Sequence, residues 1–192
     1  MKVFYLDFET TGLNLYHDDI IEYALMESDS GDSINAFVQL QKKTEVSEFI
    51  NKLTGITTDM TKRGVTVEEA CRNIKTFING HAKRGESVVL VAHNGDNFDF
   101  PLFKRMMNEN STRIMHKILY LDTVKMAQLI LPRMFSYKQV NLCKLFKIKN
   151  EQEHRAIGDI IALKKVHVRL AKLLDKTATI EKQVECVYSK FR

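Results

Sequence analysis

Apolar residues come in short alternating or continuous runs over the first 40 positions, then recur every three or four residues over most of the rest, which predicts strands first and helices later. Strands are expected over Val3–Phe8, Ile20–Met26 and Ile34–Leu40, separated by segments rich in Gly, Asn, Asp and Ser. Their short connections favour an antiparallel meander. A helix follows, with Thr66 and Glu69 at capping-box spacing, Ala70, Ile74, Phe77 and Ile78 on one face, and Gly80 as a stop. Ser87–Ala92 is a continuous apolar run, the pattern of a central strand, and it ends in the turn sequence His93-Asn94-Gly95. Beyond it the spacing predicts a helix from Asp99 to about Asn108 with Pro101 in its first turn, and a strand over Lys117–Leu121. Helices over Thr123–Leu131 and Tyr137–Phe146 follow, with Pro132 between them. A long amphipathic helix begins near Ile157, with Ile160, Leu163, Val166 or His167, Leu170 and Leu174 at helical spacing. There is no repeat or linker. The expectation is one domain over residues 1–192, an α/β fold in which a mixed sheet carries helices on its faces.

Composition narrows the class without naming a chemistry. The 192 residues are 44% hydrophobic and 28% charged, which is globular, and no apolar run approaches the roughly 20 residues that cross a bilayer. The opening MKVFYLDFET turns acidic at position 7, where an export signal would stay apolar. A soluble, intracellular chain with no membrane partner is expected. The net charge of +5 suits a polyanionic partner and equally a solvated surface, because the pairs Lys42-Lys43, Lys62-Arg63, Lys83-Arg84, Lys104-Arg105 and Lys164-Lys165 are scattered. Cys71, Cys143 and Cys186 are widely spaced with no CxxC pattern, so they read as reduced and largely buried.

Three acidic positions resist that bland picture. Asp7 and Glu9 lie two apart in a strand and so project from one face, while Leu6 and Phe8 project from the other. Two like charges about 4 Å apart repel by about 4 kcal/mol at an effective dielectric of 20, so such a pair needs either water or a cation. Asp99 falls between a buried strand and a helix, where an ordinary helix cap explains it as well as chemistry does. Asp96, in the same segment, reads as a turn residue. Asp159 lies on the last helix and His154 just before it. Five helical residues turn through about 500°, so the two do not share a helix face and His154 belongs to the loop.

Together these segments match a known family in order and spacing. Asp7-Phe8-Glu9-Thr10-Thr11-Gly12-Leu13, then His93-Asn94-Gly95-Asp96-Asn97-Phe98-Asp99, then His154-Arg155-Ala156-Ile157-Gly158-Asp159 resemble the motifs of the DEDDh exonucleases, the DnaQ-like branch of the ribonuclease H-like fold. The motifs span nearly the whole chain, and Leu53-Thr54-Gly55-Ile56-Thr57 resembles a further family segment. The middle motif with Phe100-Pro101 is most similar to the three-prime repair exonucleases called TREX. With only two prolines, the chain lacks the proline-rich insertion of one TREX branch, and neither adaptor binding nor a membrane anchor is implied.

The resemblance implies a five-stranded mixed sheet flanked by helices, and a metal-dependent 3′→5′ exonuclease that releases nucleoside 5′-monophosphates. It makes Asp7, Glu9, Asp99 and Asp159 the ligands of two Mg²⁺ or Mn²⁺ ions, with Asp99 chosen over Asp96. His154 becomes the general base, an imidazole being suited to proton transfer near neutral pH. Leu13, Phe98 and Leu53 would bracket the terminal base, with Thr10 and His93 as further substrate contacts. The partner implied is single-stranded DNA or a DNA 3′ end, with RNA trimming or a polymerase proofreading subunit as alternatives. A homodimer would pair through Ile34–Leu40. From another class, an end-binding protein without turnover would keep the site and release no nucleotide.

Overall fold

The computed structural model describes residues 1–149, 154–174 and 179–190. Five strands form one mixed sheet: β1 (Lys2–Thr10), β2 (Ile20–Glu27), β3 (Ser33–Phe37), β4 (Val88–Ala92) and β5 (Ile118–Asp122), in the order β3-β2-β1-β4-β5. The first three pair antiparallel, as the meander reading expects, while β4 and β5 add parallel to β1. The third strand is shorter than expected. It ends at Phe37 because Val38 leaves the ladder to bridge Val65 in parallel, with Val65 N donating to Phe37 O at 2.9 Å.

Eight helices are described: α1 (Glu48–Thr54), α2 (Thr58–Lys62), α3 (Val67–His81), α4 (Asp99–Glu109), α5 (Thr123–Ile130), α6 (Gln139–Phe146), α7 (Ala156–Leu174) and α8 (Ile180–Lys190). The Thr66 hydroxyl caps α3 as its spacing predicts, but the helix runs through Gly80 to His81. Helices α1, α2 and α8 were not expected. The first two are seven and five residues long, too short for a periodic signal, although Ser47 and Thr57 are ordinary N-caps.

Alternation along β1 puts a core on each face of the sheet. Phe4, Leu6 and Phe8 face α3 and α4 with Tyr23, Leu25 and Leu90. Tyr5 faces the other way, with Ala24, Val89 and Val91, against α5, α7 and α8. Continuing the second alternation past Tyr5 brings out Asp7 and Glu9, so both acids emerge on the α7 side at the carboxyl end of β1. A buried chain of hydrogen bonds below them links three elements: Tyr5 Oη and His167 Nδ1 lie 3.0 Å apart, and His167 Nε2 and Gln183 Oε1 2.9 Å. None of the three cysteines is in a disulfide. Among the described residues no helix is long and apolar enough to cross a membrane.

Candidate active site

The site assembles where β1 and β4 end and α4 and α7 begin. Asp7, Glu9 and Asp159 each offer a carboxylate oxygen within 4.8 Å of the other two. Asp99, the first residue of α4, lies outside that cluster of three and lines the same cavity. It is not the helix cap that its position suggests: Phe98 occupies that place, and the Asp99 carboxylate accepts instead from Phe8 N at 3.2 Å. This one bond ties α4 to the segment between Asp7 and Glu9.

The 93–99 turn is held from below by Asp122, whose carboxylate accepts from Asn94 N at 3.0 Å, Asp96 N at 3.2 Å and Val124 N at 2.8 Å. Gly95 is needed there, since a Cβ would meet the Phe100 ring at 2.6 Å and the Ala92 methyl at 2.7 Å. Asp96 has a structural role, accepting from Tyr188 Oη at 3.0 Å and pairing with Lys125. Asp99, unlike Asp96, lines the cavity.

His154 sits on the loop side of the α7 start, as the rotation argument requires, in the left-handed region at φ 63°. Its backbone N donates to Asp159 Oδ2 at 3.0 Å. Gln139 of α6 reaches Asp159 as well, donating to its carbonyl at 3.1 Å and to Oδ1 at 3.3 Å. A further pair, which the sequence reading missed, anchors this corner. Glu22 lies opposite Glu9 in the β1–β2 register and is fully buried. Its carboxylate accepts from Arg155 Nε at 3.1 Å, Arg155 Nη2 at 2.8 Å and Ala156 N at 3.2 Å, so β2 holds the first residues of α7. The signal for it was weak, because an acid after Ile20-Ile21 reads as ordinary alternation.

The electrostatics follow from crowding acids in a desolvated corner. Burial, then the charges of Asp99, Asp159 and Glu9, push the Asp7 carboxyl well above its usual range. Burial raises Glu9 to about 8, helped by Asp159, Glu22 and Asp99 and opposed by Arg155. Asp99 rises to about 8 through burial, against the opposing hydrogen bond from Phe8 N. Protons or cations must occupy this corner. An all-oxygen donor set of clustered carboxylates fits a hard divalent ion, and the chemistry of these residues is consistent with one.

A cavity of about 540 Å³ opens over the acids; Leu13, Phe98, His93 and His154 line it, together with residues of α6 and Ile148. Leu13 is 86% exposed on a loop that Arg105 of α4 grips through the carbonyls of Leu15 and Asp18. Not every expected contact comes together. Leu53 does not line the cavity: Ile50 anchors α1 in a separate cluster with Ile21, Val46 and Ile56, leaving Leu53 exposed outside it. Thr10 also lies off the wall and donates its hydroxyl to Gly12 O. His93 lines the cavity with both ring nitrogens engaged. The Tyr137 carbonyl, 2.9 Å away, can only accept, so Nε2 carries the proton and Nδ1 accepts from Thr123 Oγ1 at 2.9 Å. Burial lowers the His93 pKa to about 4, leaving a neutral strut.

Comparisons with known proteins bear on the fold and the family. The DNA polymerase III PolC-type of Mycoplasma genitalium is 29% identical over 173 residues, covering 88% of this chain and 11% of that protein. The PolC-type enzyme of Bacillus subtilis is 31% identical over 158 residues, covering 80% and 10%. The chain thus spans about a tenth of the length of these relatives. Among solved structures, E. coli exonuclease I in complex with a dA16 oligonucleotide superposes with a TM-score of 0.73 at 17% identity, covering 91% of this chain and 42% of that one. The nuclease domain of 3′hExo, a DEDDh family member bound to rAMP, gives 0.74 at 16% identity, covering 89% and 92%. The expected ribonuclease H-like fold is therefore present, whereas the narrower likeness to TREX is not what the PolC-type relatives carry. The exonuclease family, RNase T, matches from Phe4 in β1 to His167 in α7, a span that takes in all five predicted catalytic residues, and the chain belongs to that family.

Proposed function

We propose that the chain is a 3′→5′ exonuclease of the DEDDh type that removes nucleoside 5′-monophosphates from single-stranded or frayed DNA 3′ ends. The observation that carries this reading is the convergence of Asp7, Glu9 and Asp159 within 4.8 Å, in a cavity that also holds Asp99 and His154. Asp7, Glu9, Asp99 and Asp159 would hold two Mg²⁺ or Mn²⁺ ions. Bound there, the ions supply Lewis acidity and neutralise charge developing on the phosphoryl oxygens. The chain's own residues do the rest. Leu13 and Phe98 take the terminal base between apolar surfaces, which accept any base because stacking reads no hydrogen-bond edge. The His154 imidazole faces the same cavity and takes the proton of the attacking water. Gln139, Arg155 and Glu22 keep Asp159 and His154 in register with β1.

DNA is preferred over RNA because the relatives are DNA polymerases and a structural neighbour holds a dA16 strand; the neighbour bound to rAMP keeps RNA as the alternative substrate. A proofreading role is a second reading, favoured by the PolC-type relatives. The test is digestion of 3′- and 5′-labelled single- and double-stranded DNA and RNA, in Mg²⁺ and in EDTA. Mononucleotide release from DNA 3′ ends in Mg²⁺ alone supports the proposal. Single-strand binding with no nucleotide release in Mg²⁺ would instead make the chain an end-binding protein.

A further inference from the structure

The acid corner accounts for the terminal phosphate only; cations elsewhere on the cavity wall decide where the strand behind it runs. Among the described lysines and arginines, Lys138 and Lys144 line this cavity, and both come from α6 or its N-cap. Both are exposed, and neither ammonium group forms an ion pair among the described residues, whereas Arg155 is paired with Glu22, Lys125 with Asp96 and Lys43 with Asp18.

Their wall is also fixed in register with the acids at two points. Gln139, next to Lys138, bonds Asp159 twice, and the Tyr137 carbonyl on the other side of Lys138 accepts from His93 in the turn that carries Asp99. Six residues of helix separate the lysines by roughly 9 Å along the axis. Between them Val140 and Cys143 line the same wall without charge.

We infer that the α6 wall, through Lys138 and Lys144, is the track for the phosphodiester backbone of the single strand behind its 3′-terminal nucleotide. This inference rests on the nuclease reading and adds to it the residues that grip the strand. Two phosphate contacts predict a definite salt dependence. For single strands the slope of log affinity against log salt is about −0.7 per neutralised phosphate, so removing two contacts makes it shallower by about 1.4. A fourfold rise in salt should then weaken the native protein about sevenfold more than a variant lacking both lysines.

The test has a binding arm and a chemical arm. Fluorescence anisotropy of a labelled single-stranded oligonucleotide is measured in EDTA for the native chain and for K138A/K144A, with K165A/R169A on the exposed side of α7 as the charge-matched control. Hydrolysis of the p-nitrophenyl ester of thymidine 5′-monophosphate in Mg²⁺ reads the catalytic corner without a strand. The expected result is a slope shallower by about 1.4 in K138A/K144A alone, restoration by K138R/K144R, and unchanged ester hydrolysis. Equal slopes in native and K138A/K144A, or an equal loss in the α7 control, would overturn the track. So would a loss of ester hydrolysis in K138A/K144A, which would put the lysines in the reacting centre. A native chain that binds the strand through these lysines yet hydrolyses neither ester nor oligonucleotide in Mg²⁺ refutes the nuclease reading and supports the track.

Discussion

Replacing Glu9 by Gln should stabilise the metal-free protein at pH 8 and change it little at pH 5. The Glu9 carboxyl, normally near 4.5, is raised to about 8, chiefly by burial and then by the charges of Asp159, Glu22 and Asp99. An acid whose pKa is higher folded than unfolded contributes most to stability below the unfolded value and loses that contribution as pH rises to the folded one. In the unfolded chain Glu9 ionises from about 4.5, whereas the folded protein keeps the proton until about 8. Stability therefore falls across that window by up to about 1.4 kcal/mol per pH unit, on the order of 5 kcal/mol in all. That is comparable with the whole stability of a small domain, about 5–15 kcal/mol. The assay is urea unfolding in EDTA at pH 5, 6.5 and 8. The native midpoint should drop with pH, the Glu9→Gln midpoint should drop by roughly one proton's worth less, and Mg²⁺ should restore the native protein at pH 8 by binding only the folded state. Native stability that stays flat from pH 5 to 8, or a variant weaker than native at pH 8, would refute the claim that these acids are strained without a cation.

Asp159→Asn should abolish 3′-end trimming and leave circular dichroism unchanged; full activity in that variant or in excess chelator would remove the metal proposal. His154→Ala should lower the rate by about 10²–10⁴ with folding intact, since its side chain is exposed at the cavity, and an unaltered rate would take it out of the mechanism. Glu22→Ala should cost about 1–3 kcal/mol in urea unfolding, because it leaves the Ala156 N–H without its acceptor and the part-exposed Arg155 guanidinium without its partner. A loss under about 1 kcal/mol would mean that β2 does not hold α7.

What could be read from the sequence was what repeats locally. Period-two alternation put Asp7 and Glu9 on one face of β1, and helical rotation put His154 on the loop before α7; the structure has both. Asp99 carried no such local mark. As a helix cap it would have been unremarkable, and its actual partner, Phe8 N, lies 91 residues away, so only the joint order of the motifs singled it out. Helix α8 escaped notice because its few apolar positions sit among Glu, Lys and Gln, and its docking depends on Val187 and on the Gln183–His167 bond. The Glu22–Arg155 pair, 133 residues apart, had only a weak sequence signal, yet it holds the start of α7 against the sheet. Glu22 faces Glu9 across the strand pair, so the sheet presents three acids, Asp7, Glu9 and Glu22, at this corner, and nothing in their spacing says which of them serve chemistry. Arg155 answers by neutralising one. Glu22 has its counter-charge built into the chain and becomes a strut, whereas no ion pair among the described residues neutralises Asp7 or Glu9. On the proposed reading, the acid that the fold supplies with its own cation is structural, and Asp7 and Glu9 are the ones that serve chemistry.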